Sequence, residues 1–307
     1  EKGYSRGYAT ALCACSSILG IIIPPSGVMI IFGWVTDTSI LACFLSLVGP
    51  GLLLIVIFCV INVVMARKMP SLVLEQSLSA NERVKLLVNR TMRAVPALLA
   101  PVIILGGIYG GIFTPTEAAA IGAVYCVPVG FFIYHTLTWK TLGRDIANAA
   151  TAVGTIMVLI FSSLMLAQIY TMLQIPQLVL NLMLSITTSK AVLLFIIVVF
   201  YFFIGMIMSD VPATIITAPL LMPLMKQLGV NPIHFAAILG TNLAMGGLTP
   251  PYASILYLGM RIGKVSFSEI VKTAAIFVTL GCVPVTLITT YWPDLALFFP
   301  RLFGYVR

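Results

Sequence analysis

The sequence predicts an all-α polytopic membrane protein, and three observations support that fold class. Of its 307 residues, 60% are hydrophobic and only 8% are charged, whereas a soluble domain carries about 25% charged residues. Apolar runs near the roughly 20 residues that cross the hydrocarbon core recur along the chain, at residues 41–66, 147–173, 191–208 and 273–291. These runs lack the alternation of polar and apolar positions that the strands of a β-barrel require.

The formal net charge of +8 indicates membrane orientation rather than nucleic-acid binding. The basic residues stand at the ends of the apolar runs, which is where topology-setting charges belong. We therefore expect a lipid bilayer and no nucleic acid as partner, with the largest basic group, residues 67–93, on the cytoplasmic side. The six cysteines lie in apolar segments and match no zinc motif.

Taken in order, the chain divides into six ranges. Residues 1–39 hold two short apolar arms around Pro24 and Pro25, and 40–93 hold a full span and an amphipathic interfacial helix at 74–93. Residues 94–136 form apolar segments interrupted near Thr114, and 137–204 hold spans with a short interfacial segment. Residues 205–262 hold a proline-broken helix and two further short arms, and 263–307 hold a connector and a last span.

An internal repeat relates the two pairs of short arms. At one fixed offset of 226 residues, positions of special geometry coincide: Gly20 with Gly246, Pro24 and Pro25 with Pro250 and Pro251, and Gly33 with Gly259. Shared apolar composition is the other explanation, but coincident glycines and proline pairs favour a repeat. Only the second copy is preceded by a proline-containing helix, so we expect the chain to lack the matching upstream element, either as a fragment or by being made without it.

Each proline pair predicts a re-entrant helical hairpin whose tip exposes oxygen atoms. Irregular backbone is tolerated at membrane depth only where it is buried in protein or lines a wet cavity. Freed carbonyls and hydroxyls suit a hard cation such as sodium, and paired interrupted segments indicate a secondary transporter's site. The predicted ligands are the carbonyls of Gly20, Ile23 and Pro25, near Ser16, Ser17 and Ser26, and the carbonyls of Gly246, Thr249 and Pro251, near the Thr249 hydroxyl and Asn242. Simple kinks packed with small residues remain the alternative.

Two acidic residues interrupt apolar segments and are candidates for function. Asp210 follows a span, where a carboxylate is costly, and it could bind or balance a cation; alternatively it caps the helix that begins at Val211. Glu117 fits a capping box with Thr114. No phosphate loop, zinc-protease motif or Ser/His/Asp set is present. The sequence thus indicates no enzyme, and transport would draw on an ion gradient.

Four stretches resemble one family, the large membrane subunit of the tripartite ATP-independent periplasmic (TRAP) transporters. They are "GYSRGYATALCACSSILGIIIPPSGVMIIFG", "GIFTPTEAAAIGAVY", "DVPATIITAPLLMPLMKQLGVNPIHFAAILGTNLAMGGLTPP" and "YWPDLALFFPRLFG". The resemblance implies an inverted-repeat elevator-type transporter with two re-entrant helical hairpins, in the bacterial cytoplasmic (inner) membrane. It also implies sodium coupling without an organic cofactor, a small membrane subunit (separate or fused), and a periplasmic binding protein that delivers an organic acid such as sialic acid or a dicarboxylate.

The resemblance also assigns ranges and residues. It implies a mobile transport domain made of 1–39, 94–136 and 205–262, a scaffold made of 40–93, and a scaffold and arm made of 137–204, with 263–307 as connector and last span. It places a first sodium site at Gly20, Ile23 and Pro25 and a second at Asp210, Gly246, Thr249 and Pro251. The substrate contacts are expected from polarity and position at Ser16, Ser17, Thr114, Thr116 and Asn242.

Other functions remain open at this point. A cation-conducting channel would pass currents that no organic acid saturates. Another inverted-repeat carboxylate symporter would work without a binding protein. A membrane enzyme or assembly scaffold is disfavoured because no catalytic constellation is found.

Overall fold

The computed structural model describes residues 4–67 and 80–306, and within them the chain is helical with no strand. The chain divides into two compact units, residues 1–72 with 159–307 and residues 73–158. The predicted interfacial helix at 74–93 lies partly outside the described residues, since 74–79 are not among them.

The helices follow one another with short connections. In the first part of the chain they are α1 (Arg6–Ser17), α2 (Leu19–Ile22), α3 (Gly27–Thr36) and α4 (Ile40–Ala66). Residues 73–158 hold α5 (Ala80–Tyr109), α6 (Pro115–Pro128), a π-helical turn (Val129–Ile133) and the first part of α7 (Trp139–Met172). The remainder are α8 (Ile175–Ile186), α9 (Lys190–Ile207), α10 (Asp210–Gln227), α11 (Pro232–Gly246), α12 (Ser254–Gly263), α13 (Phe267–Phe277), a π-helical turn (Val278–Cys282), α14 (Val283–Tyr291) and α15 (Pro293–Leu302).

The membrane-protein prediction is confirmed. Within the described residues, seven helical segments are long and apolar enough to cross a bilayer. They are Arg6–Thr36, Ile40–Ala66, Val84–Tyr109, Pro115–Ile133, Trp139–Met172, Lys190–Ile207 and Phe267–Tyr291. The first of these contains the Pro24–Pro25 interruption, so its two short arms reach membrane length only together.

Several predicted boundaries differ from the structure. The proline-broken helix predicted within 205–262 is wrong, because α10 runs unbroken through Pro219 and Pro223. The interfacial helix and the following apolar segment form one helix, α5, which passes through the predicted boundary at 93/94 and contains Pro96 and Pro101. The boundary at 204/205 likewise falls inside α9. The assignment of ranges to a transport domain and a scaffold stays a prediction.

The end of the chain also differs from prediction. The connector predicted at the beginning of 263–307 is the start of the last spanning helix, because Ser266 and Glu269 form a capping box that begins α13. After that span, Pro293 starts α15, a short helix that the sequence analysis did not predict. This helix packs along α4, where Gly49 admits the backbone of Leu295.

The first unit is built around α11, whose residues 233–246 are all buried. It packs against α9, α4 and α14, and more lightly against α2 and α3. A 15-residue helix buried on every side needs apolar or small residues all round, which its sequence supplies apart from His234, Thr241 and Asn242. The buried polar residues of α11 therefore need a specific explanation.

The second unit, residues 73–158, is a small helical assembly in which α6 packs on α5. Two tyrosine hydroxyls tie the later segments to the α5 backbone: Tyr125 donates to the Pro96 carbonyl at 2.9 Å and Tyr134 to the Arg93 carbonyl at 2.8 Å. The predicted capping box is confirmed, since Glu117 accepts from the Thr114 amide at 2.8 Å while the Thr114 hydroxyl accepts from the Glu117 amide.

Candidate ion-binding site at the helix breaks

Three of the interruptions between helices in the first unit lie at or next to the predicted cation ligands. The first is at residues 23–26 between α2 and α3, the second at 247–253 between α11 and α12, and the third at 208–209 between α9 and α10. The backbone leaves the helical region at each break, as at Ile23 and Met208. The Pro24–Pro25 and Pro250–Pro251 bonds are both cis. Carbonyl oxygens freed in such breaks are potential cation ligands.

The second break is held against the end of α9. The amide of Tyr252 donates to the carbonyl of Met206 at 2.9 Å. Gly205 and Gly246 let α9 and α11 approach so closely that a Cβ on Gly246 would lie 2.4 Å from the Gly205 Cα. Since Asp210 follows Met206 by four residues, the structure brings the second and third breaks together.

Asp210 places a carboxylate at the third break. It is half-buried at the first position of α10, and Ser209, rather than Asp210, occupies the N-cap. Its Oδ1 accepts hydrogen bonds from the Ser209 hydroxyl at 3.0 Å and the Val211 amide at 3.1 Å. Within the described residues, no Lys, Arg or His pairs with it. A partly desolvated carboxylate in this position favours a bound cation.

The second break supplies further oxygen atoms. The Gly246 carbonyl accepts from the Thr249 amide at 3.0 Å, and the Thr249 hydroxyl donates to the Met245 carbonyl at 3.0 Å. Both oxygens keep a lone pair for another partner. Among the described residues, no donor reaches the carbonyls of Pro250 and Pro251.

The first break has the same chemistry. A helical carbonyl normally accepts from the amide four residues later, and those residues are Pro24 for Gly20 and Pro25 for Ile21. Proline has no N–H. The carbonyls of Ile23 and Pro25 also lack a donor within the part of the chain that the structure describes. This break therefore presents several carbonyls that protein donors leave free.

Two buried side-chain oxygens at these breaks lack hydrogen-bond partners within the described residues. They are the Ser26 hydroxyl, at the end of the first break, and the Asn242 amide oxygen, one turn before the second. The Asn242 nitrogen donates to the Ile238 carbonyl at 2.7 Å, which leaves the amide oxygen as the free end. A buried oxygen without a hydrogen-bond partner lowers the stability of the fold by about 1–3 kcal/mol. A ligand bound at these atoms would offset that loss.

The remaining predicted substrate residues are placed differently. Ser16 is half-buried in α1, and the Ser17 hydroxyl donates to the Ala14 carbonyl and lines a groove between α1 and α12. Thr114 and Thr116 belong to the second unit, where Thr114 caps α6 and Thr116 is exposed. The structure thus gathers Asp210, Gly246, Thr249, Pro251 and Asn242 around neighbouring breaks, and the other substrate contacts stay predictions.

The re-entrant hairpin geometry also stays a prediction. The two arms of the first interrupted segment pack mainly against other helices, α1 against α12 and α13, and α3 against α10 and α4. The first break adjoins α4 at Gly51, where a Cβ would meet Ile23 Cγ1 at 3.1 Å. These contacts fit interrupted membrane helices that are joined across the two copies of the repeat.

Sequence analysis missed the residues that position the breaks. Gly205, Gly51 and the Tyr252 amide bring the segments together, yet none was a candidate. A lone glycine in an apolar span, such as Gly205, is a signal for close helix packing in membranes. The identity of its partner helix is not encoded in that signal.

Comparison with known proteins agrees with this architecture. The family model for the tripartite ATP-independent periplasmic transporter DctM component matches residues 1–295. The uncharacterized protein YgiK of Salmonella typhimurium is 33% identical over 99% of this chain and 68% of its own length. The sialic acid TRAP transporter large permease protein SiaM of Vibrio cholerae is 32% identical, with 99% of this chain and 70% of SiaM covered.

A further relative is the C4-dicarboxylate TRAP transporter large permease protein DctM of Pseudomonas aeruginosa, 30% identical over 99% of this chain and 70% of that protein. The isethionate TRAP transporter permease protein DctMQ of Oleidesulfovibrio alaskensis is 31% identical, and the chain covers 46% of its length. SiaM, DctM and DctMQ are named as transporter permeases rather than enzymes. The chain belongs to the DctM family of tripartite ATP-independent periplasmic transporter permeases and is a multi-pass protein of the inner membrane.

Proposed function

We propose that this chain is the large permease subunit of a sodium-coupled importer of an organic acid. Sodium would bind at Gly20, Ile23 and Pro25 in the first break and at Asp210, Gly246, Thr249 and Pro251 around the second. The proposal is carried by the hydrogen bond from Tyr252 to Met206, which lies beside the close contact of Gly205 with Gly246. Together they hold the carbonyls of the second break close to Met206 near the end of α9, four residues before the carboxylate of Asp210.

The donor set suits an alkali cation. Hard cations prefer carbonyl, hydroxyl and carboxylate oxygens, and these are the groups that the breaks supply. Among the described residues, no three His, Cys, Asp or Glu side chains converge as a site for a softer metal. A monovalent ion coordinated largely by backbone oxygens, with one carboxylate to balance its charge, fits these atoms.

The substrate class follows from the relatives. Sialic acid and C4-dicarboxylates, named for the relatives from Vibrio and Pseudomonas, carry a carboxylate, whereas isethionate, named for the relative from Oleidesulfovibrio, carries a sulfonate. These relatives support an organic acid in general, and we infer that this chain transports a carboxylate, with Asn242 as its best-placed contact and Ser16, Ser17, Thr114 and Thr116 as further ones. The family resemblance supports a periplasmic binding protein and a small membrane subunit as partners.

The test is uptake of a labelled organic acid into proteoliposomes that contain the complete transporter, with its binding protein outside. Uptake should require both a sodium gradient and the binding protein. Asp210→Asn keeps the shape and hydrogen-bonding oxygen of the side chain but removes its charge, so sodium-dependent uptake should fall at least tenfold. The matched control is Asp145→Asn, which changes an exposed carboxylate next to Arg144 and should leave uptake unchanged.

Each alternative predicts a different result. Full uptake with potassium in place of sodium would overturn the sodium coupling. Equal uptake without the binding protein would favour a symporter that works alone. Currents without any organic acid would favour a channel. An Asp210→Asn variant with wild-type sodium dependence would remove Asp210 from the site.

A further inference from the structure

A separate cavity lies in the first unit at the opposite end of α11 from the helix breaks. Its volume is about 360 Å³, and its lining includes Lys190, Asn231, His234 and Tyr291. His234 and Gly246 are twelve residues apart on α11, which corresponds to about 18 Å along a helix axis. The cavity is therefore distinct from the candidate ion site.

The cavity lies where two membrane-length segments have their ends. The candidate span Lys190–Ile207 begins at it, and the candidate span Phe267–Tyr291 ends at it. The helices that line it also carry exposed apolar side chains next to lining residues in sequence, Phe195 after Leu194 on α9 and Phe298 after Leu297 on α15. Such a position corresponds to the headgroup level of a bilayer, bordered by hydrocarbon.

His234 lines this cavity and has one ring nitrogen without a donor within the described residues. Only 3% of the residue is exposed, and its Nε2 lies 2.7 Å from the Thr289 carbonyl. Because a carbonyl only accepts, Nε2 carries the proton and the Nδ1 of a neutral ring is an acceptor. Burial of the ring disfavours its charged form, and the positive charge of Lys190, in the same lining, disfavours that form further. Within the described residues, Nδ1 has no donor.

The rest of the polar lining favours an anion. Lys190 is exposed at the first position of α9 and makes no ion pair within the described residues. The Ser189 side chain does not cap that helix, so the first amides of α9 are free to donate. The nearby carboxylate of Asp294 is already paired with Arg301. The Tyr291 hydroxyl donates to the Ala191 carbonyl at 2.8 Å and fixes the start of α9 against the end of α14.

We propose that this cavity binds the headgroup of an anionic membrane phospholipid that carries a hydroxyl, such as phosphatidylglycerol. The phosphate is held by Lys190 and the first amides of α9. A headgroup hydroxyl donates to Nδ1 of His234. The apolar wall formed by Leu194 and Leu297 borders the glycerol backbone and the first methylenes of the acyl chains.

A lipid fits this cavity better than a soluble organic acid. The lining combines one cation, free amides and one acceptor with mostly apolar residues, among them Val230 and Pro293. A small, fully hydrated acid gains little from contact with that apolar wall, whereas a lipid packs its hydrocarbon against it. The proposal concerns lipid binding and does not depend on the transported substrate.

The test is native mass spectrometry of the purified, delipidated complete transporter titrated with defined lipids. Phosphatidylglycerol should bind more tightly than phosphatidylethanol, which is anionic but has no hydroxyl, and than phosphatidylcholine, which has no headgroup donor. Lys190→Gln should weaken phosphatidylglycerol binding about fivefold, the effect of removing one favourable lysine at an anionic headgroup. Lys272→Gln, an exposed lysine on α13 outside the cavity, is the matched control and should leave binding unchanged.

Three results would contradict the proposed lipid site. Equal affinity for phosphatidylglycerol and phosphatidylethanol would remove the role of His234. Equal weakening by Lys190→Gln and Lys272→Gln would indicate general surface charge rather than this cavity. Competition by soluble glycerol 3-phosphate at the same concentration as the lipid would show that the site takes a free phosphate instead. Because Lys190 is exposed, its substitution leaves the fold intact.

Discussion

Replacing Gly246 by alanine should separate the two helices that hold the second break in place. A Cβ at this position would lie 2.4 Å from the Gly205 Cα and 2.6 Å from the Gly205 carbonyl oxygen. Both are backbone atoms, so no side chain can rotate away. Ordinary contact begins at 3.4 Å, which means that α9 and α11 must part by about 1 Å, the difference between 3.4 and 2.4 Å.

The effect should reach the candidate ion site. A shift of about 1 Å would stretch the 2.9 Å hydrogen bond between the Tyr252 amide and the Met206 carbonyl beyond hydrogen-bonding range. Overpacking of this kind destabilises by about 1–3 kcal/mol, and the lost hydrogen bond adds about 1 kcal/mol. We therefore expect Gly246→Ala to be destabilised by about 2–4 kcal/mol and to lose most of its response to sodium.

The assay is thermal unfolding of the complete transporter in detergent, with and without sodium, combined with uptake in proteoliposomes. Gly247→Ala is the matched control, because the nearest atom to its Cβ would be the flexible Cδ1 end of the Ile255 side chain, at 3.1 Å, and the nearest backbone atom would be at 3.5 Å, an ordinary contact. The control should stay close to wild type in both measurements. If Gly246→Ala unfolds at the wild-type temperature and keeps the wild-type stabilisation by sodium, the close contact with Gly205 does not position the break.

Three other substitutions test separate parts of the structure. Asn242→Leu should unfold at or above the wild-type temperature, because it removes a buried oxygen without a partner, yet organic-acid uptake should fall; lower stability with normal uptake would contradict the assigned role. Asn231→Ala should lower the free energy of unfolding by about 1 kcal/mol in denaturation experiments, because the side chain caps α11 at 2.8 Å, whereas Asn231→Ser should recover most of it. Gly281→Ala should lower the unfolding temperature, because its Cβ would lie 2.5 Å from the Phe58 ring; an unchanged temperature would show that the ring can move aside.

Much of this fold could be predicted from local sequence signals. The spans at Ile40–Ala66 and Lys190–Ile207 start and end within one residue of the predicted runs. The repeat offset of 226 maps Arg6, where α1 begins, onto Pro232, where α11 begins. Proline pairs interrupt both copies because proline offers no N–H, a property of the residue that holds in any tertiary context.

The errors arose where tertiary context overrides local preference. Pro219 and Pro223 interrupt no helix, since the flanking residues of α10 are packed against α3, α8 and α11 and hold the helical path. Helix α5 continues through Arg93 because no capping residue or glycine stands there to end it. The change from polar to apolar residues at this point is a stronger sequence signal, and it led to the predicted boundary. Pairwise contacts such as Gly205 with Gly246 depend on how distant segments meet, which a single sequence does not specify.

The arrangement of the three breaks bears on how a transporter of this kind could couple two ions. The second break continues directly from α11, the end of α9 contacts α11 at Gly246, and α2, which leads into the first break, also packs on α11. Because α11 is buried along residues 233–246, it cannot shift alone without disturbing a close-packed core. We therefore expect displacement of one break to move the others with it. Ions bound at separate breaks would then be carried as a set, which is the mechanical requirement for coupling their gradients to one substrate.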